Sequence, residues 1–219
     1  MKLSIILPAC DVPLGSGRAG PWLRNALQTV QEGGYADFEC LVGCDGDIPA
    51  IRSAVEAMHD DRFRYIPLPC THSWGNYQRN VITQEHATGD YVAFMDHDDG
   101  YVPGALKVIA DEIETFPGRG FFFRARLSCG VVVWAKPSIT HSASLAGHGT
   151  IVPRGTGWPV WGSSASRSED HNYMLAVNAY ADSIGKPMVW CSQIVARIRP
   201  WAPQEVVPWI GVGTELATG

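Results

Sequence analysis

Asp96-His97-Asp98-Asp99 places three carboxylates within four residues, directly after the apolar run Tyr91-Val92-Ala93-Phe94-Met95. Carboxylates this close repel one another, and a divalent cation taking hard oxygen ligands relieves the repulsion at least cost. A cation held by only one or two of them keeps coordination positions open for phosphate oxygens. The competing reading is a solvated acidic turn in which Asp98 or Asp99 caps the next helix. Spacing excludes an EF-hand, because counting from Asp96 puts Gly100 at the fifth position and Lys107 at the twelfth. An aspartyl-phosphate phosphatase also uses Asp-x-Asp after a strand, but on the first strand, and here the motif follows the fourth.

Such a turn can do chemistry only if strands and helices aim it at a crevice. Apolar runs at 3–7, 38–43, 63–66 and 91–95 read as strands, the first stopped by Pro8 and the second running into Asp45-Gly46-Asp47. Between them Trp22, Leu23, Ala26, Leu27 and Val30 recur at helical spacing, with Pro21 at the first helical position. Further helices are predicted over 48–58, 77–87 and 103–114. The alternation predicts an α/β fold with a mostly parallel central sheet flanked by helices, and right-handed crossovers. Ligands bind such sheets outside the carboxyl ends of the strands. After Pro117 the texture changes to a small antiparallel extension, with paired strands at 121–127 and 131–134 turning near Cys129-Gly130. Residues 137–168 are rich in Gly, Ser, Thr and Pro and read as a functional loop. A helix over 169–184 stopped by Gly185, a strand over 188–198 and a tail or lid over 200–219 complete the chain.

Composition narrows the function classes. The 219 residues are 46% hydrophobic and 18% charged, which fits one large domain with a full core. A net charge of -5 argues against a generic nucleic-acid or anionic-membrane binder. Six cysteines without a C-x-x-C pair read as reduced thiols, mostly in the core. The apolar stretch before Pro8 is too short for a secretory signal, and no run approaches the roughly 20 apolar residues that span a bilayer, so a cytoplasmic protein is expected. Gly15-Ser16-Gly17-Arg18-Ala19-Gly20 is formally G-x-G-x-x-G, but it does not follow the first strand directly, and a loop is the better reading.

Four segments together resemble family 2 glycosyltransferases of the GT-A fold, from Leu3 to about Trp201. Residues 4–11, Ser-Ile-Ile-Leu-Pro-Ala-Cys-Asp, look like the family's opening strand, and Leu41-Val42-Gly43-Cys44-Asp45-Gly46-Asp47 looks like its Val-Asp-Asp-Gly-Ser turn. Gln78-Arg79-Asn80, residues 89–99, Pro103 and Leu106 follow its central signature, and Ser168-Glu169-Asp170-His171 opens a helix like its Glu-Asp motif. Cys44 stands where the family often has an Asp, and Asp11 replaces the usual Asn, which leaves the base open. The resemblance implies one GT-A-like catalytic domain, with a nucleotide-sugar half at 1–116 and an acceptor half at 117–199. It implies that Ala9 and Asp11 border the nucleotide, Asp45 hydrogen-bonds the base, and Arg79 lies by the phosphates. Asp96 would face the ribose or donor sugar, Asp98 would hold Mn or Mg on the diphosphate, and Asp99 would assist or cap the helix. Asp170, with Glu169 as neighbour, would be the general base, against the alternative of helix first-turn acids favoured by the macrodipole.

The expected reaction is metal-dependent, inverting transfer from a nucleotide-diphosphate sugar, a UDP-sugar favoured, to a glycan, lipid-linked or other hydroxyl acceptor. The alternatives are a sugar nucleotidyltransferase, which would want a glycine-rich loop after the first strand, and a non-catalytic sugar-nucleotide-binding module. Arg79 has an ordinary helix-surface ion pair as its alternative role. His97 could face the site or pack beside the turn, and His141 or His148 could ligate metal, contact acceptor or lie in solvent. Trp158 and Trp161 could stack on a sugar or anchor their loop, and Arg197 and Arg199 could reach the diphosphate.

Overall fold

The computed structural model describes residues 1–11, 18–133, 149–155, 157–162 and 169–198. His141, His148, Arg199, the 200–219 tail and residues 15–17 of the glycine-rich hexapeptide lie outside the described residues. Strand β1 (Leu3–Ala9) buries all seven residues because both its faces are covered, which is why it reads as an unbroken apolar run. It pairs in parallel with β2 (Phe38–Asp45) on one side and with β4 (Tyr91–Phe94) on the other, and β3 (Phe63–Leu68) extends the sheet beyond β2.

Helix α1 (Ala19–Gln31) begins two residues before Pro21. Proline is harmless there, because its missing N–H belongs to the first turn, and the first intrahelical bond runs from Trp22 N to Arg18 O at 3.0 Å. Its buried stripe is Leu23, Ala26, Leu27 and Val30. Helix α2 (Pro49–Glu56) follows β2, and α4 (Ala105–Thr115) follows β4. The helix expected over 77–87 is α3 (Asn76–Val81) running into one wider π-helical turn, Ile82–His86.

Two strands escaped the sequence reading. Gly100–Tyr101 forms β5 and pairs antiparallel with β9 (Val189–Ile198), while Thr150–Pro153 forms β8 inside the segment read as irregular. Both are short and owe their conformation to distant partners, which local propensity does not report. Strand β8 pairs antiparallel with β4 and with β6 (Phe121–Leu127), and β6 turns back into β7 (Val132–Val133) as expected. The sheet therefore runs β3-β2-β1-β4-β8-β6-β9-β5, with β7 on β6, and is mixed beyond β4. Helix α5 (Glu169–Ser183) lies between β8 and β9 in the chain.

One buried carboxylate ties the start of the sheet together. Glu39 on β2 accepts from Ser4 Oγ at 2.6 Å, Thr88 N at 2.6 Å, Thr88 Oγ1 at 3.0 Å and Lys2 Nζ at 3.2 Å. Burial alone would raise its carboxyl, but these donors outweigh burial and hold it below the ordinary value.

Candidate functional site

The strand order reverses direction between β1 and β4: from β1 the chain builds outward to β2 and β3, then returns to place β4 on the other side. A crevice outside the carboxyl ends of parallel strands opens at such a switch. Cys10 and Asp11 leave β1 there, and Asp96 to Asp99 leave β4 there.

The acidic turn is braced at both ends. Met95 N donates to Ile6 O at 3.1 Å, Asp99 N closes the turn on Asp96 O at 3.1 Å, and β5 then joins β9. An oxygen from each of Asp96, Asp98 and Asp99 lies within 4.8 Å of the others; Asp99 is buried and the other two are half-buried. The capping alternative fails, because α4 starts at Ala105 with Gly104 at its N-cap and no side-chain cap bond. Three hard oxygen donors at this separation fit a divalent cation.

Arg79 on α3 is buried rather than on a helix surface. Its guanidinium pairs with Asp96 and donates from Nη1 to Trp74 O at 3.1 Å and to Asn76 Oδ1 at 3.3 Å. Its Nε is buried with no hydrogen-bond partner among the described residues. The helix can approach because Gly75 precedes it at φ 85°, where an added Cβ would sit 2.8 Å from Pro8 Cβ. The guanidinium carbon lies 4.4 Å from the ring centroid of Trp161.

Asp45, at the end of β2, has both oxygens engaged. Oδ1 accepts from Thr71 N at 2.7 Å and Gln78 Nε2 at 2.8 Å, and Oδ2 accepts from His72 N at 3.1 Å. Ala9 is buried in register with Cys44, and Asp11 is half-buried just beyond β1. Cys10 joins the two acidic regions. Burial, reinforced by Asp45, Asp96 and Asp98, pushes its thiol up to about 12.

Helix α5, which carries Asp170 in its first turn, packs on this region through Tyr173. Tyr173 stacks on Trp161 with centroids 4.1 Å apart and planes at 10°, and both meet Phe94 edge-on. Asp170 lies one turn before Tyr173 on the same helix face. Glu169 is buried against Gly162, where an added Cβ would sit 2.0 Å from its Oε2. A continuous path of contacts thus runs from Asp96 through Arg79, Trp161 and Tyr173 to the first turn of α5. Tyr173 itself is driven to a raised pKa by burial, only partly offset by the charge of Arg79.

Trp161 therefore anchors its loop in the core. Asn80 holds it there, donating from Nδ2 to Trp161 O at 2.9 Å and accepting Trp161 N on Oδ1 at 2.8 Å. Trp158 packs on Tyr180 at 5.1 Å. His97 is half-buried, with Nε2 unpartnered among the described residues, and Arg197 stands in register with Gly100 beside the acidic turn. The sequence reading assigned no role to Cys10, Gln78 or Asn80. The last two flank Arg79 in a tripeptide on one short helix, which packs against β1 and β2. A cavity of about 450 Å³ bounded by Asn80, Phe94, Arg154 and Trp158 lies apart from the acidic turn, none of whose carboxylates lines it.

Residues 4–177 match the sequence profile described as glycosyl transferase family 2. The chain is 27% identical over 110 residues to the GalNAc(5)-diNAcBac-PP-undecaprenol beta-1,3-glucosyltransferase of Campylobacter jejuni, covering 49% of this chain and 33% of that protein. It is 27% identical over 199 residues to the glucans biosynthesis glucosyltransferase H of Rhodopseudomonas palustris, covering 85% of this chain and 26% of that protein. The chain thus spans about a third or less of the curated relatives it matches. Among solved structures, S. aureus TarS 1-349 in complex with UDP superposes with a TM-score of 0.72 at 17% identity, over 90% of this chain and 60% of that one. The mannosyltransferase PcManGT of Pyrobaculum calidifontis, in complex with GDP-Man and Mn2+, gives a TM-score of 0.63 at 14% identity, over 93% of this chain and 58% of that one. No helix among the described residues is long and apolar enough to cross a membrane.

Proposed function

The chain belongs to glycosyl transferase family 2, and from that premise we propose that it moves a sugar from a nucleotide-diphosphate sugar, a UDP-sugar favoured, to an acceptor hydroxyl with inversion at the anomeric carbon. The observation that carries this reading is the triplet Asp96, Asp98 and Asp99 at the β1/β4 switch, its oxygens within 4.8 Å of one another. A Mn or Mg ion held there, chiefly by Asp98, would offset charge developing on the leaving diphosphate. Complexes of structural neighbours with UDP and with GDP-Man and Mn2+ support that donor class and a divalent cation. Residues 1–116 form the nucleotide half of this reading and residues 117–199 the acceptor half.

Within it, Asp96 orients the ribose or donor sugar and is itself oriented by Arg79. The unpartnered Nε of Arg79 supplies a buried donor for a phosphate oxygen. Ala9 and Asp11 border the nucleotide, and Asp45, fixed by Thr71 and Gln78, meets the base. Asp170 takes the proton from the acceptor hydroxyl, and attack on the face opposite the leaving group inverts the centre. Relatives named for glucan biosynthesis and for a PP-undecaprenol-linked glycan support a glycan or lipid-linked acceptor.

The test is incubation with a panel of nucleotide sugars and Mn, reading release of nucleoside diphosphate. Release from a uridine donor is expected. No release across the panel refutes the reading, and pyrophosphate release from a nucleoside triphosphate plus a sugar phosphate would replace it with nucleotidyl transfer.

A further inference from the structure

A second cluster of potential ligands stands on the base side of the crevice, and its chemistry differs from that of the acidic turn. Cys70 and His72 lie in the loop between β3 and α3, both exposed, and face Asp45 at the end of β2. A ligand atom from each of the three lies within 4.8 Å of the others. His72 Nδ1 is 3.9 Å from Cys70 Sγ and 3.9 Å from Asp45 Oδ2, while Nε2 of the same ring is 3.5 Å from Cys70 Sγ.

We propose that Asp45, Cys70 and His72 form a site for a thiophilic divalent cation, with zinc as the reference ion, separate from the all-oxygen site of the acidic turn. Zinc bonds of about 2.3 Å to sulfur and about 2.0–2.1 Å to nitrogen, at a tetrahedral angle, separate the two ligand atoms by about 3.6 Å. Through Nδ1, the imidazole nitrogen that also approaches Asp45, the Cys70 and His72 atoms stand 3.9 Å apart, close to that spacing. Asp45 supplies the third ligand through Oδ2, while Thr71 N and Gln78 Nε2 hold Oδ1 and fix the carboxylate plane, as outer partners of metal ligands do. Binding exchanges the thiol proton for the metal: the S–H bond breaks, an S–metal bond forms and the proton leaves to solvent. Three protein ligands leave the fourth position to water. Donor type sorts the ions, because thiolate and imidazole select zinc or cobalt, whereas three carboxylates select magnesium or manganese.

The consequence for the donor rests on the reading above, in which Asp45 meets the base: a metal on Oδ2 would then antagonise nucleotide binding. Titration of the full chain with Co2+ alone, in reducing buffer without nucleotide, tests the site by itself. A thiolate-to-cobalt charge-transfer band with strong tetrahedral d–d bands is expected. The band should vanish in Cys70→Ser, weaken at least tenfold in apparent affinity in His72→Ala, and persist in Cys129→Ser, whose thiol is also exposed. Absence of the band in the wild-type chain, or its survival in Cys70→Ser, overturns the site and leaves Cys70 and His72 with a weak thiol–imidazole hydrogen bond. UDP affinity is then measured with and without zinc. A fall with zinc that disappears in Cys70→Ser supports the antagonism, and cobalt binding with unchanged UDP affinity overturns the contact of base with Asp45 rather than the metal site.

Discussion

The guanidinium of Arg79 lies 4.4 Å from the ring centroid of Trp161 while pairing with Asp96, so one side chain couples the acidic turn to the aromatic stack beneath α5. Lysine would keep the charge but lose the planar fork and the stacking. Arg79→Lys is therefore expected to cost on the order of 1–3 kcal/mol, from the charge-assisted hydrogen bonds and the cation–π contact. Urea unfolding checks this, and an unchanged midpoint would show the coupling to be idle.

Asp98 and Asp170 should separate by assay. Asp98→Ala is expected to weaken Mn-dependent UDP binding. Asp170→Asn should leave that binding intact and lower transfer by roughly 10²- to 10⁴-fold, the range of a lost general base. Calorimetry for binding and diphosphate release for turnover give the two readings, and near-normal turnover in Asp170→Asn removes it as the base.

Gly75→Ala places a Cβ 2.8 Å from Pro8 Cβ at a residue with φ 85°. Left-handed backbone alone costs a non-glycine residue roughly 1–2 kcal/mol. With the contact added, a loss of about 2 kcal/mol is expected, a fall in Tm of roughly 4–8 °C for a chain of this size. Thermal unfolding by circular dichroism reads it directly.

Glu39 predicts the sign of an acid response. Its folded-state pKa is lowered, so its contribution is fully present above its unfolded pKa and is lost as pH falls through the folded value. Urea midpoints of the wild type should decline on acidification below the ordinary carboxylate range. Glu39→Gln should be less stable at neutral pH and show a shallower decline; an equally steep decline would assign the acid sensitivity to other carboxylates.

The sequence announced the parallel half of the fold because β1, β2 and β4 are buried on both faces and therefore read as apolar runs. The acidic turn was readable for the same reason: it interrupts such a run with carboxylates. Strand β8 was hidden because Thr150–Pro153 gains its hydrogen bonds from β4 and β6, far away in the chain. Arg79 was ambiguous because position on a helix does not say what crosses above it; the structure supplies Asp96 and Trp161. The hold of Thr71, His72 and Gln78 on Asp45 was equally hidden, since it depends on the loop after β3 folding back over the end of β2.

Strand β8 also has a mechanical consequence. By pairing with β4 on one edge and β6 on the other, it splices the strands on either side of residue 116 into one unbroken ladder from β3 to β5. A clamshell motion of the strands before residue 116 against those after it would have to tear that ladder.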